Sequence, residues 1–461
     1  EGYSQQLTKN LEKELKGKKV LTKMKDKLIK NATILTMNSE SEIIEKGYII
    51  IKDNKITEIG EGEPPKFSGL TIDAKGQFLM PGFVNTHSHI PMTIFRGIAD
   101  DLPLEEWLNN YIWPVENKFL TEETVALGTR LGLVEMIRSG TTCFNDMYFY
   151  TESIAQEVES AGMRAVIGEG LLEFPTASYQ TIEEAFAITK EFIEKWNGHE
   201  IIHPAVSPHA IYTSSPETLK KAYNIAESYD VPYHIHISES RNEVEQAKKE
   251  KGESPVQYLD RLGVLSERTI GAHCVWLDED DMVTFQKRGV NVSHNISSNL
   301  KLASGIAPIP QYLDKNINVA IGTDGAASNN NLDMLEETHL AALVHKGNSL
   351  DPEVVDALTA MKMATINGAK ALGLEKITGS LEVGKRADMI LIETNHSYMV
   401  PNYNPYSTLI YSANSGAVST VMVDGKLLMH DKKLMTLNEE AIFEEVNHLK
   451  QAIQNSLKKS E

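Results

Sequence analysis

Cysteine is nearly absent: Cys143 and Cys274 are the only two in 461 residues. Two thiols build neither a disulfide framework nor a cysteine-rich zinc site, and a reducing compartment is the simpler inference. Basic residues are outnumbered, 45 Lys and Arg against 64 Asp and Glu, and the resulting net charge of −19 opposes attraction to phosphate backbones and anionic lipid. Neither nucleic acid nor a membrane is therefore an expected partner. The chain also has no apolar run of bilayer-spanning length and no apolar centre of a signal peptide. What remains reads as a cytoplasmic globular protein, long enough for one large barrel and an accessory unit.

Residues 1–26, rich in Lys, Glu and Gln with scattered Leu, read as a solvated helix, a flexible tail or a foreign leader, with Met24 as a candidate native start. From 27 to 80, short alternating segments at 28–37, 47–52, 55–59 and 69–74 have hairpin texture, with Asp53-Asn54 as a tight turn. The same texture returns at 387–392 and 418–428, where Asp424-Gly425 makes another turn. The segments 27–80 and 379–430 are thus expected to meet in one small β-sandwich, with a C-terminal helix over 431–461.

Between them, over 81–378, short apolar runs alternate with stretches of helical period. Strands are expected at 83–87, 141–145, 164–168, 201–207, 233–237, 270–273, 291–294 and 318–322. Eight strands in series, each followed by a helix or helical loop, predict an α/β fold of the (β/α)8 TIM-barrel type, whose chemistry stands at the C-terminal strand ends.

The polar residues fall at those ends. His87 and His89 follow a Pro-Gly turn and a short apolar run, so strand alternation projects both into one space. His236 and His273 end the fifth and sixth strands, and Asp324 lies just past the eighth. Three imidazoles and a carboxylate suit one divalent metal, Zn2+ first, with Fe2+ and Mn2+ as alternatives. A metal so held lowers the pKa of bound water from about 15.7 to about 7. Glu239, three residues past His236, is placed to carry protons, and His273 is either a ligand or a group that polarises the water. Singly, each has an ordinary structural reading: a satisfied core histidine, which is how His203 and His234 are read, a helix cap for Glu239, a turn aspartate for Asp324. Their coincidence at successive strand ends favours a metal hydrolase.

The motifs Pro81-Gly82-Phe83-Val84-Asn85-Thr86-His87-Ser88-His89, Ala272-His273-Cys274, Ser293-His294-Asn295, Gly322-Thr323-Asp324 and Gly379 to Asp388 resemble those of the amidohydrolase superfamily, over about 28–428. Within it, His89-Ile90-Pro91-Met92, Arg96-Gly97, Asp100 to Leu104, Trp107-Leu108, Asp146-Met147-Tyr148-Phe149 and Ser298 to Leu302 resemble the 5'-methylthioadenosine/S-adenosylhomocysteine deaminases and their chlorohydrolase relatives. The resemblance implies that His87, His89, His236 and Asp324 bind the metal, that Glu239 and His273 serve proton transfer, that Trp107 lines the base pocket, that Glu116 holds the ribose hydroxyls and that His209 lies near the sugar. It implies a small nucleoside substrate, and a homo-oligomer is compatible with it.

One departure bears on the substrate. Arginines expected shortly after the third strand, to hold the carboxylate of S-adenosylhomocysteine, are missing from 169–195, and Glu169 stands where a basic residue is expected. Like charges repel, so methylthioadenosine, 5'-deoxyadenosine and adenosine are expected ahead of S-adenosylhomocysteine. A triazine-type chlorohydrolase or aminohydrolase, another nucleobase deaminase, and a non-catalytic scaffold remain as alternatives.

Overall fold

The 27–80 segment pleats as its alternation predicts. In a computed structural model that describes residues 25–457, five strands occupy it: β1 (Lys27–Leu35), β2 (Ile43–Lys52), β3 (Lys55–Glu61), β4 (Leu70–Asp73) and β5 (Phe78–Pro81). The reading of residues 1–24 lies outside the described residues. β2 and β3 form a hairpin about Asp53-Asn54, closed by the Lys52–Lys55 pair, with Asp53 in the left-handed region at φ 53°. β5 escaped the sequence reading because all four of its residues are buried. A strand covered on both faces loses the alternation that would reveal it.

The middle of the chain supplies nine parallel pieces: β6 (Phe83–Ser88), β7 (Thr141–Tyr148), β8 (Arg164–Leu171), β9 (Ile202–Pro204), β10 (Ser207–Pro208), β11 (Tyr233–Ile237), β12 (Thr269–His273), β13 (Asn291–His294) and β14 (Val319–Ile321). β6, β7 and β8 pair in order with β9 and β10 beside β8, and β11 to β14 pair in order. The fourth expected strand, 201–207, is instead two fragments. Pro204 and Pro208 bring no N–H to a ladder, so pairing there breaks and resumes. Val206 bridges to Tyr233, joining the two sheets. On the other side the Asp324 N–H donates to the His87 carbonyl at 2.9 Å and the Thr86 hydroxyl to the Ile321 carbonyl at 3.0 Å. The parallel sheet is therefore curled until its last strand lies against its first, in a mixed α/β structure.

Both chain ends then share one further sheet. β15 (Met389–Ile392), β16 (Val418–Val423), β17 (Lys426–His430) and β18 (Lys433–Leu434) run on from β5, in the order β18-β17-β16-β15-β5-β1-β2-β3, with β4 beside β1. A helix, Glu439–Leu457, follows.

A buried ion pair ties the two regions together. Arg164 opens β8 with its side chain fully buried, and donates to both carboxylate oxygens of Asp388, at 2.7 and 3.1 Å, and to the Glu200 carbonyl at 2.7 Å. Two charges removed from water are tolerable only as a matched pair. Arg164→Met leaves Asp388 buried and uncompensated, and should cost about 3–5 kcal/mol in urea unfolding; a loss below about 1 kcal/mol would show that the pair does not join the regions.

Candidate active site

β6 carries the first two imidazoles. His87 is fully buried at its end, and its ring lies edge-on 4.8 Å from that of His89. Gly322 lets the closing strand come this near: a Cβ there would stand 2.8 Å from the His87 backbone nitrogen.

Each ring is oriented through one nitrogen, and that sets what the other can do. Nδ1 of His89 donates to the Met147 carbonyl at 2.5 Å and Nδ1 of His236 to the His209 carbonyl at 2.8 Å. Nδ1 of His273 meets Asn299 Oδ1 at 2.8 Å, and Nδ1 of His87 meets Nε2 of His234 at 2.9 Å. The Nε2 atoms of His87 and His89 lie 3.3 and 3.2 Å from Asp324 Oδ1. The buried Nε2 of His87 nevertheless makes no hydrogen bond, a vacancy in its bonding that a cation would satisfy. Two sets of donor atoms, His87–His236–His273 and His87–His89–Asp324, each lie within 4.8 Å of one another and share His87.

The electrostatics fit a cation. Burial pulls the His87 imidazole down to about 4 and holds His236 well below its ordinary value, so both rings are neutral at pH 7. Burial acts on His89 in the same sense, but the Asp324 carboxylate and the Met147 carbonyl outweigh it and hold the ring up to about 9. A divalent cation bound there would displace that proton. Burial opposes the Asp324 charge too, yet the two imidazoles beside it hold the carboxyl well below the usual range. Its Oδ2 accepts from the Ser298 and Ser328 hydroxyls at 2.6 and 2.7 Å.

Beside this cluster stands Glu239, with a carboxylate oxygen 3.7 Å from Nε2 of His273 and its carboxyl pushed up by burial. A mostly apolar cavity opens above. Its walls include Trp107, Glu116 and His209 as well as His89, His236, Glu239, His273 and Asp324, with His87 directly behind them. Trp107 is anchored by its indole N–H on the Ala99 carbonyl at 3.1 Å. Glu116 accepts from the Tyr148 hydroxyl at 2.5 Å, and burial pushes its carboxyl up to about 7. Burial and the nearby imidazoles pull His209 down to about 3. Trp107 and Glu116 belong to one helical run, Leu104–Phe119, whose middle, Trp107–Ile112, is a widened π-helical stretch.

The structure corrects two expectations. The Glu169 carboxylate does not face the cavity: buried, it accepts from the Thr151 N–H at 3.2 Å and hydroxyl at 2.9 Å and from the Ser178 hydroxyl at 2.5 Å, supporting the start of the helix Thr151–Ala161. It therefore exerts no direct repulsion on a substrate there. His203, expected as a satisfied core histidine, is only half-buried, its Nε2 makes no hydrogen bond and it lies outside the cavity walls, whereas His234 is the satisfied core histidine expected, with one ring nitrogen on His87 at 2.9 Å and the other on Asn145 at 3.2 Å. Asn299, Ser298 and Tyr148 received no role from the sequence, although each lies in a motif already singled out.

A curled parallel sheet whose strand ends gather imidazoles around one carboxylate is the architecture of barrel hydrolases. The chain belongs to the amidohydrolase family, whose sequence pattern matches residues 78–428. It is 47% identical, over 434 residues covering 93% of this chain and 99% of the relative, to a 5-methylthioadenosine/S-adenosylhomocysteine deaminase of Thermodesulfovibrio yellowstonii. It is 45% identical over 405 residues, 87% of this chain and 95% of the relative, to a 5'-deoxyadenosine deaminase of Methanocaldococcus jannaschii. The solved structure of an adenosine deaminase from Xanthomonas campestris with bound zinc is similar at a TM-score of 0.91 and 35% identity, covering 93% of this chain and 99% of that one. The curled sheet is accordingly of the TIM-barrel type.

Behind Asp324, the buried Glu337 accepts from the Ser297 N–H at 3.1 Å and from Asn329 Nδ2 at 2.8 Å. Burial pushes its carboxyl up to about 8 from 4.5. The folded chain thus keeps a proton that the unfolded chain releases, and the stability this group contributes is present below about pH 4.5 and lost as pH rises towards 8. Glu337→Gln lacks that loss, so the urea midpoint of the variant should gain on the wild type between about pH 5 and about pH 9. A difference that stays constant would mean the carboxyl is ionised in the folded protein.

Proposed function

We propose that this chain catalyses the hydrolytic deamination of adenosine-type nucleosides, giving the inosine analogue and ammonia. The carrying observation is that a single cavity holds the imidazole–carboxylate cluster and Glu239 at one end and, along its wall, a buried indole and a buried carboxylate suited to a purine and a pair of hydroxyls. The names of the relatives, deaminases of 5-methylthioadenosine, S-adenosylhomocysteine, 5'-deoxyadenosine and adenosine, point to the same reaction.

In this reading His87, His89, His236 and Asp324 hold one divalent metal, Zn2+ first, which when bound supplies the Lewis acidity that brings a water to a pKa of about 7. Glu239 takes one proton from the attacking water and delivers it to the ring nitrogen, then carries the water's second proton from the new C6 hydroxyl to the amine, so that ammonia leaves as the C6 carbonyl forms. Its raised carboxyl, in a site shielded from bulk water, suits a group that must both accept and donate. His273, held by Asn299, orients the water towards the attacked face. Trp107 flanks the base, Glu116 receives the ribose hydroxyls with Tyr148 behind it, and His209 closes the sugar end.

The preferred substrates carry a small uncharged 5' group, such as methylthioadenosine, 5'-deoxyadenosine and adenosine. Among the described residues that line the cavity there is no Lys or Arg to clamp an amino-acid carboxylate. The architecture is read on the same footing: a catalytic barrel over 81–378, a small β-sandwich from 27–80 and 379–430, and a terminal helix within 431–461. A separate apolar cluster of Ile29, Ile34, Ile49, Leu79, Met389 and Leu391 supports the sandwich. Two buried free cysteines accord with a cytoplasmic setting.

Ammonia release should be compared across methylthioadenosine, 5'-deoxyadenosine, adenosine, S-adenosylhomocysteine, guanine and an aminotriazine, using zinc-loaded protein. The uncharged adenosine derivatives should lead. Best turnover on S-adenosylhomocysteine would overturn the 5' preference, and activity on the free base or triazine alone would overturn the nucleoside reading. Glu239→Gln should keep its metal by elemental analysis and lose at least about 100-fold in kcat; near-normal turnover would sink its role.

A further inference from the structure

Glu243 is a buried carboxylate with no part in the chemistry above, and both its oxygens are spent on the backbone that carries Glu239. Oε1 accepts from the Ser238 N–H at 3.0 Å and Oε2 from the Glu239 N–H at 2.8 Å. We propose that Glu243 is the positioning residue for Glu239, fixing the main chain from which the proton-carrying side chain projects; this rests on the reading of Glu239 given above.

The ordinary explanation is a helix cap, and the geometry departs from it. Glu243 is the third residue of the helix Arg241–Lys251, and in a capping box a carboxylate at that place returns to the N–H of the capping residue. The capping residue here is Ser240, whose hydroxyl accepts from the Glu243 N–H at 3.1 Å. The carboxylate reaches beyond Ser240 to the two residues before it. A helix already capped by a serine gains little from burying a charged group as well, since desolvating a carboxylate is costly unless strong hydrogen bonds compensate.

The gripped segment has few other means of holding its shape. Ser238 lies at φ 51°, a region that residues with a Cβ seldom visit. From there its carbonyl accepts from the Val275 and Trp276 N–H groups, each at 3.0 Å, while its own N–H and that of Glu239 point to Glu243. The loop after β12, which begins beside His273, thus holds one side of the Ser238 peptide, and Glu243 holds the other. The Glu239 carboxylate, 3.7 Å from His273, is aimed by this clamp on its backbone.

The test uses full-length, zinc-loaded protein with 5'-deoxyadenosine as substrate. Glu243→Ala should lower kcat roughly 10- to 100-fold while KM stays within about threefold and the metal content is unchanged. Glu243→Gln, which keeps one acceptor oxygen and the shape, should fall between the two, and carries the test if the alanine variant does not fold. The decisive readout is the double variant: once Glu239→Gln has disabled the positioned group, replacing Glu243 should change the residual turnover by less than about twofold. Turnover within about twofold of wild type in the Glu243 variants, multiplication of the two losses in the double variant, or loss of metal from the Glu243 variants would each overturn the proposal. Near-normal turnover of the single Glu239→Gln variant would instead remove the reading beneath it, and that single variant alone reveals it.

Discussion

A backbone carbonyl can accept a hydrogen bond and never donate one, and the site depends on that asymmetry. The Met147 carbonyl takes the Nδ1 proton of His89 and the His209 carbonyl that of His236, which leaves Nε2 of His236 a lone pair facing the cluster and makes Nε2 the only nitrogen of His89 that can give up its proton to a cation. These carbonyls belong to neighbouring segments of the curled sheet, so the tautomers are set by how the strands are staggered rather than by other side chains. Only a sheet that closes, with the Asp324 N–H on the His87 carbonyl, brings the carboxylate to the same point.

The second layer does with side chains what the carbonyls do with the backbone. Ser298 and Ser328 saturate one oxygen of Asp324, Asn299 turns His273, His234 backs His87 and Tyr148 holds Glu116. Buried carboxylates are expensive, and Glu116 and Glu337 show it in their raised pKa values. The fold tolerates them because donors are aimed at them, at both oxygens of Glu337 and at one of Glu116, and the rigidity this imposes is what a site needs to meet a reacting geometry.

The strand-end residues were legible because alternation within a short apolar run tells which side chains share a face, and four such runs agreed. β5 was not legible, since burial on both faces erased the alternation, and the fourth barrel strand read as continuous although its prolines interrupt it. Glu169 shows a deeper limit. Position along the chain placed it near the substrate, but its direction was decided by Thr151 and Ser178, which the pattern of β8 does not encode. Asn299 and Glu243 were hidden for the same reason: what each does depends on a partner brought close by folding.

The widened stretch Trp107–Ile112 has a consequence for how one helix can line the cavity along its whole length. Leu104, Leu108, Ile112 and Glu116 all reach the cavity, at intervals of four residues. In a regular α-helix each residue turns about 100°, so four residues overshoot a full circle by about 40° and twelve would carry the last side chain about 120° round the axis. A π-helical residue turns about 80° and undershoots, so six of them cancel nearly all of that drift. The helix thus acts as a ruler with corrected markings: it keeps a single edge against the cavity over its whole length.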